Sequence, residues 1–99
     1  MVEIRWTNQA LDDIDNIAEY IAKDSLKYAK IQTLRFFEAT EILITKPKIG
    51  RIVPEIKKST IRELILGNYR IIYKFLNIKR VDILAVHHSA RKINKSKLK

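Results

Sequence analysis

Residues 62–75, "RELILGNYRIIYKF", consist of two β-forming runs that flank Gly67 and Asn68. A two-residue connection of this kind predicts a β-hairpin, because glycine readily adopts the positive φ that tight hairpin turns need. The register places on one face the pairs Leu66 with Tyr69, Leu64 with Ile71, and Arg62 with Tyr73. The opposite face carries Glu63, Ile65, Arg70, Ile72 and Lys74, so that Glu63 lies diagonally from two cations.

The segments before the hairpin predict a short strand followed by two helices. Residues 2–6, "VEIRW", alternate apolar with polar side chains as a strand with one buried face does. Apolar residues then recur at helical spacing from Thr7 or Asn8 to near Asp24. Ser25 caps a second helix that continues to about Thr45. Because so few residues separate the two helices, they should form an antiparallel hairpin.

The remaining segments complete a two-layer architecture. Residues 47–60 contain both prolines and Gly50, and are interpreted as a connector over the surface. "VDILAVHH", residues 81–88, is a nearly continuous apolar run that predicts a central strand. The tail, about residues 89–99, is basic. We therefore expect one domain, residues 1–99, of the α+β class: an N-terminal antiparallel helical hairpin packed on a small twisted antiparallel β-sheet, whose other face stays open.

Charge is distributed unevenly along the 99 residues, whose net charge is +9. The first 50 residues carry 7 Lys/Arg and 8 Asp/Glu, whereas residues 51–99 carry 13 and 3. A basic surface of this kind favours an acidic or polyanionic partner. The chain has no cysteine, and His87 and His88 are adjacent on a strand and point to opposite faces, so we expect no metal and no cofactor. The absence of a long apolar run predicts a cytoplasmic protein without a membrane partner.

One set of residues could support RNA cleavage by the RNA's own 2′-hydroxyl, which needs a base, an acid and a cation on the phosphate. Arg62 and Arg70 could clamp the phosphate, His88 could donate the proton, and Glu55 could act as the base. Spacing alone does not bring these four residues together. An ordinary cross-strand ion pair between Glu63 and Arg70 is the competing interpretation.

Several blocks of the sequence, in order, resemble the RelE/ParE superfamily of bacterial toxins. "ALDDIDNIAEYI", residues 10–21, is similar to its first-helix pattern. The later blocks "GRIVPE", "IRELILGNYRIIY" and "VDILAVHHSAR" are similar to its three remaining segments, and together the four cover nearly the whole chain. The resemblance implies the toxin component of a type II, plasmid-stabilisation type, toxin-antitoxin system, a growth inhibitor neutralised by a cognate acidic antitoxin in a hetero-oligomer. Such an antitoxin segment, disordered alone, would lie along the helices and sheet edge.

The superfamily divides into two activities, and departures from its patterns separate them. RelE-like members cut messenger RNA on the ribosome, whereas ParE-like members inhibit DNA gyrase. Arg70 matches the RelE-like arginine, but the two lysines of the preceding strand would fall at Ile61 and Glu63. The later catalytic arginine would fall at Ser89, and the terminal tyrosine would fall near Lys95. Three of these losses remove positive charge from a phosphate site, and the fourth removes a stacking or acid group. "VHHSAR", with its His88 and Arg91, resembles the ParE-like ending.

The resemblance therefore favours a ParE-like inhibitor of gyrase. The alternative is a RelE-like or YoeB-like, metal-independent endoribonuclease acting on ribosome-bound messenger RNA, and a third possibility is a non-toxic nucleic-acid-binding module. Whether the chain is an enzyme depends on this choice. If the nuclease interpretation holds, the catalytic residues would be Glu55, Arg62, Arg70 and His88. In either case the expected recognition surface consists of Glu63, Arg70, Lys74, Arg91 and Lys92.

Overall fold

Two helices lie on one face of a five-stranded sheet in the computed structural model, which describes residues 2–89. The elements are β1 Glu3–Trp6, α1 Asn8–Ala22, α2 Leu26–Ala39, a 3-10 helix Thr40–Ile44, β2 Arg51–Ile52, β3 Ile61–Leu66, β4 Tyr69–Asn77 and β5 Arg80–His88. The strand order is β1-β5-β4-β3-β2. This arrangement confirms the predicted α+β fold, with a helical hairpin packed on a sheet. "VDILAVHH" lies in β5, an interior strand between β1 and β4, and β4 occupies the middle of the sheet.

The sheet is mixed, which corrects the expectation that it is antiparallel throughout. β3 and β4 pair in the predicted register, from Leu66 opposite Tyr69 to Arg62 opposite Tyr73, and β4 pairs antiparallel with β5. β1 instead runs parallel to β5 at the edge. A parallel pair requires a long crossover between its strands, and α1 and α2 lie within the segment that separates β1 from β5.

Both helices begin where the sequence predicts. The Thr7 hydroxyl oxygen accepts a hydrogen bond from the Ala10 N–H at 3.2 Å, and the Ser25 hydroxyl oxygen accepts one from the Tyr28 N–H at 3.1 Å. These contacts satisfy amide groups that the first turn of a helix leaves without partners. The second helix ends at Ala39 and continues as the 3-10 helix to Ile44, so the predicted helix to Thr45 is two elements.

The main core fills the space between the helices and the sheet. Its fully buried side chains include Phe36 and Leu43 from the helical layer and Ile71, Tyr73 and Ile83 from the central strands. At the edge of this layer the rings of Trp6 and Phe37 lie 4.7 Å apart. Within residues 2–89, neither helix is long and apolar enough to cross a bilayer.

A short segment covers the other face of the sheet, so the expectation of an open face is wrong. Within the predicted connector, Arg51 and Ile52 form β2, and residues 53–58, here called the covering segment, fold back over the strands. Apolar side chains on that face of the sheet are stabilised when they are shielded from water. The covering segment contributes two apolar residues to this shielding, Val53 and Ile56. The resulting second core cluster consists of Val53, Ile61, Ile72, Leu84 and Ala85, with Ile56 packed against it.

Candidate functional site

Four charged side chains meet where the covering segment contacts the sheet, and we call them the charged cluster: Arg51, Glu55, Glu63 and Arg70. Arg70 donates from Nε to Glu63 Oε1 at 2.6 Å, from Nη1 to Glu55 Oε2 at 2.7 Å, and from Nη2 to Glu55 Oε1 at 2.8 Å. Arg51 Nε donates to the other carboxylate oxygen of Glu63. The four formal charges cancel, and each described contact is charge-assisted.

Burial distinguishes the members of the charged cluster. Glu63 is 1% exposed and Arg70 is 5% exposed, whereas Glu55 is partly exposed and Arg51 lies at the surface. The hydrogen bond to Glu55 raises the pKa of Arg70 above its usual range, against the opposing effect of burial, and Glu63 raises it further. The Arg70 guanidinium therefore stays charged while it is largely withdrawn from water.

The structure corrects the expected exposure of the recognition surface. Glu63 and Arg70 lie on one face of the sheet with Lys74, as the register predicts, but the covering segment hides Glu63 and Arg70. Lys74 is half-buried. Arg91 and Lys92 lie outside the described residues.

The structure assembles only part of the predicted catalytic set. Glu55 and Arg70 are in direct contact, but Arg62 points to the opposite face and binds backbone carbonyl groups. It donates to Ser59 O at 2.9 Å, to Lys48 O at 3.2 Å and to Gly50 O at 2.9 Å. Arg62 thus fixes the loop before β2, which is a structural role for a predicted phosphate ligand.

The two histidines occupy opposite faces, and the one next to Arg70 is His87. The β4–β5 register pairs Arg70 with His87 and Tyr69 with His88. His88 stacks edge-on against Tyr69, with ring centroids 5.7 Å apart, on the side of the helices. Since paired residues of antiparallel strands share a face, His87 lies on the side of Arg70 and Glu55, and His88 does not.

Sequence reasoning missed two residues of this region, Arg51 and His87. Arg51 belongs to the two-residue strand β2 and is paired with Glu63, and so short a strand leaves no periodic signal. His87 lies opposite Arg70 through the pairing of β4 with β5, a register that the β3–β4 hairpin does not set.

Comparison with known proteins places this architecture in a family. A family model described as the ParE toxin of the type II toxin-antitoxin system parDE matches residues 4–93. "Putative toxin Y4kP" of Sinorhizobium fredii is 38% identical over 86 residues, covering 87% of this chain and 86% of that protein. "Toxin RelE2" of Caulobacter vibrioides is 31% identical over 91 residues, covering 92% and 99%.

Solved structures show the same fold. The chromosomal ParDE system from P. aeruginosa matches with a TM-score of 0.74 at 21% identity, covering 89% of this chain and 96% of that chain. The RelBE2 toxin-antitoxin complex from Mycobacterium tuberculosis matches with a TM-score of 0.54 at 19% identity, covering 88% and 96%. The recognised superfamily is thus confirmed, and the chain belongs to the ParE toxin family of type II toxin-antitoxin systems.

Proposed function

We propose that this toxin arrests growth by inhibiting DNA gyrase and that a cognate acidic antitoxin neutralises it. The observation that carries the choice of gyrase is the state of Arg70, whose Nε, Nη1 and Nη2 all donate to Glu63 or Glu55. A guanidinium whose three nitrogens all donate to carboxylates is not available to bind a phosphate. Arg62 is bound to carbonyl groups, and His88 lies across the sheet, which further weakens the case for a nuclease.

The antitoxin part of the proposal is supported by an apolar groove along the helical hairpin. Ala18, Ala22 and Ala29 leave a cavity of about 440 Å³ between α1 and α2, and Leu26 and Leu34 beside it are exposed. An amphipathic segment that folds on binding could bury its apolar side chains there. The basic charge of the chain would attract an acidic segment and increase the association rate, an effect that added salt should reduce.

A second candidate function, ribosome-dependent cleavage of messenger RNA, is favoured by one arrangement. Glu55, Arg70 and His87 lie on the same face, so a base, a cation and an acid could act together if the phosphate displaced Glu55 from Arg70. In that case His87, rather than the predicted His88, would be the proton donor. His87→Ala is therefore expected to abolish activity if the chain is a nuclease, but not if it inhibits gyrase.

The deciding experiment is induced expression in bacteria, with messenger RNA integrity and DNA supercoiling followed in the same culture. The test variants are His87→Ala and His88→Ala, and Lys58→Ala, which changes an exposed cation of the covering segment, is the matched control. Gyrase inhibition predicts intact messages and gyrase-linked DNA breaks. Cleaved ribosome-bound messages that disappear with His87→Ala would establish the nuclease instead. Normal growth on expression of the wild-type chain would refute both and favour a non-toxic nucleic-acid-binding module.

A further inference from the structure

A second groove lies at the end of the sheet away from the Gly67 turn, and we call it the end groove. It has a volume of about 850 Å³. The turn after the 3-10 helix forms one wall, and the end of β4 with the β4–β5 turn forms the other. The lining residues are Val2, Ile44, Thr45, Lys46, Pro47, Lys48, Ile49, Phe75 and Ile78. It is separate from the charged cluster and from the groove along α1 and α2.

Backbone–backbone and side-chain–backbone hydrogen bonds hold both walls of the end groove in place. The Val2 N–H donates to Ile44 O at 3.3 Å, and the Glu3 N–H donates to Lys79 O at 2.7 Å, so β1 ties the two walls together. Arg62 binds the carbonyl of Lys48, and the Gly50 N–H donates to Tyr73 Oη at 2.9 Å. Because these hydrogen bonds already hold the walls in the free chain, the walls would lose little conformational entropy when a ligand binds.

The rims of the end groove combine bulky apolar side chains with positive charge. Ile49 is 51% exposed on one rim, and Ile78 is 78% exposed on the other. Both charged residues among those that line it are lysines, Lys46 and Lys48. Lys48 Nζ lies 4.9 Å from the centre of the Phe75 ring, and this cation–π contact holds the ammonium at the groove.

We propose that the end groove binds an acidic amphipathic segment of a partner protein. Bulky apolar side chains of that segment would lie between Ile49 and Ile78, and its carboxylates would pair with Lys46 and Lys48. Apolar side chains alone would select weakly among partners, whereas the two lysines favour carboxylates beside the apolar anchor. The inference does not depend on whether gyrase or messenger RNA is the target of the toxin.

Two other occupants fit the end groove less well. A second copy of this chain would bring its own net charge of +9 against Lys46 and Lys48, and like charges oppose association. A single-stranded nucleic acid binds by stacking bases on exposed aromatic rings. Phe75 is the aromatic residue of this groove, and the Lys48 ammonium already lies over its ring.

The test measures binding of short fluorescent peptides to the purified full-length chain by anisotropy. The probe is an amphipathic peptide of leucine and phenylalanine interleaved with glutamate, and the reference peptide has lysine in place of each glutamate. The variants are Ile78→Glu and the double change Lys46→Glu with Lys48→Glu. The matched controls are Ile65→Glu and Lys58→Glu, which alter an exposed isoleucine and an exposed lysine outside the groove.

We expect the wild-type chain to bind the acidic peptide and both groove variants to bind it about tenfold or more weakly, with both controls unchanged. The double variant should gain affinity for the lysine peptide, a charge exchange that unfolding cannot produce. The proposal is overturned if the wild-type chain binds both peptides equally, or if Ile65→Glu weakens binding as much as Ile78→Glu. The proposal is also overturned if the wild-type chain binds anionic vesicles more tightly than the acidic peptide and Ile78→Glu weakens that vesicle binding. Such a result would assign the surface to a membrane. Since growth is not measured, failure here leaves the proposed toxin activity standing.

Discussion

Arg70 and Glu55 form a two-pronged ion pair, with N–O distances of 2.7 and 2.8 Å, that ties the covering segment to the central sheet. Glu63, on the neighbouring strand, accepts a hydrogen bond from Nε of the same guanidinium. Two apolar residues of the segment, Val53 and Ile56, belong to the second core cluster on the same face of the sheet. The face of the sheet that carries Glu63 and Arg70 is therefore covered through both ion pairs and apolar contacts.

We expect Glu63→Gln to be more destabilising than Glu55→Gln. The first change leaves the buried Arg70 charge with one carboxylate fewer, which should lower the free energy of unfolding by about 3 kcal/mol. Glu55 is partly exposed, so water can replace part of what it supplies. Urea unfolding near neutral pH measures both variants, with the exposed Glu3→Gln as control. Equal losses for the two test variants would contradict the importance of burial.

Gly50→Ala should disrupt the junction between the connector and the sheet. A Cβ at this position would lie 2.6 Å from Glu63 O and 2.6 Å from Tyr73 Oη, and both belong to the packed sheet. Overpacking of this kind costs about 1–3 kcal/mol. Gly67→Asn is the control, because that position has a φ of +56° and open space around it, and asparagine tolerates this conformation. Thermal unfolding of the two variants would reveal whether the effect is specific to Gly50, and a stable Gly50→Ala protein would refute the close approach.

Tyr73 should make the folded chain sensitive to alkaline pH. Burial raises the pKa of Tyr73, and the contact with Gly50 and the charge of Arg62 oppose part of that rise. The unfolded state, with a tyrosine pKa of about 10, loses its proton first, so stability is fully present below that pH and falls as pH rises toward the folded pKa.

Tyr73→Phe tests this dependence by urea unfolding near neutral pH and at about pH 11. The variant should lose roughly 1–3 kcal/mol near neutral pH, because the buried Gly50 N–H is left without its acceptor. Its loss relative to the wild type should then shrink at the higher pH. Tyr20→Phe, at a 72% exposed position, controls for the removal of a phenol. A difference between wild type and variant that stays constant with pH would argue against a perturbed Tyr73.

Asp13 should protect the part of β5 that extends beyond β1. Its Oδ2 accepts from the Val86 N–H at 2.9 Å, and its Oδ1 accepts from Gln9 Nε2 at 2.8 Å. Removing an acceptor of this kind costs about 1 kcal/mol and frees a strand N–H. Asp13→Ala should therefore accelerate hydrogen exchange at Val86, whereas Asp12→Ala, at an exposed position, should not. An unchanged exchange rate at Val86 in Asp13→Ala would show that the Asp13 carboxylate does not protect this amide.

Helices, strands and the β3–β4 pairing could be predicted from sequence wherever the physical signal is local. Thr7 and Ser25 cap helices because a hydroxyl can reach an amide three residues ahead, and the turn at Gly67 and Asn68 sets the β3–β4 register through side-chain alternation. The two-layer fold follows from these apolar faces, which must be buried together. The resemblance of four ordered blocks added the family, which the comparisons confirmed.

Which charged residues contact one another and which are exposed to water depends on long-range packing. The contact of Glu55 with Arg70 depends on how the connector folds back, and that path is set by the apolar residues of the second face rather than by a periodic pattern. The placement of His87 beside Arg70 depends on the pairing of β4 with β5. Both are long-range outcomes, in which packing over the whole sheet outweighs the local preferences that sequence patterns record.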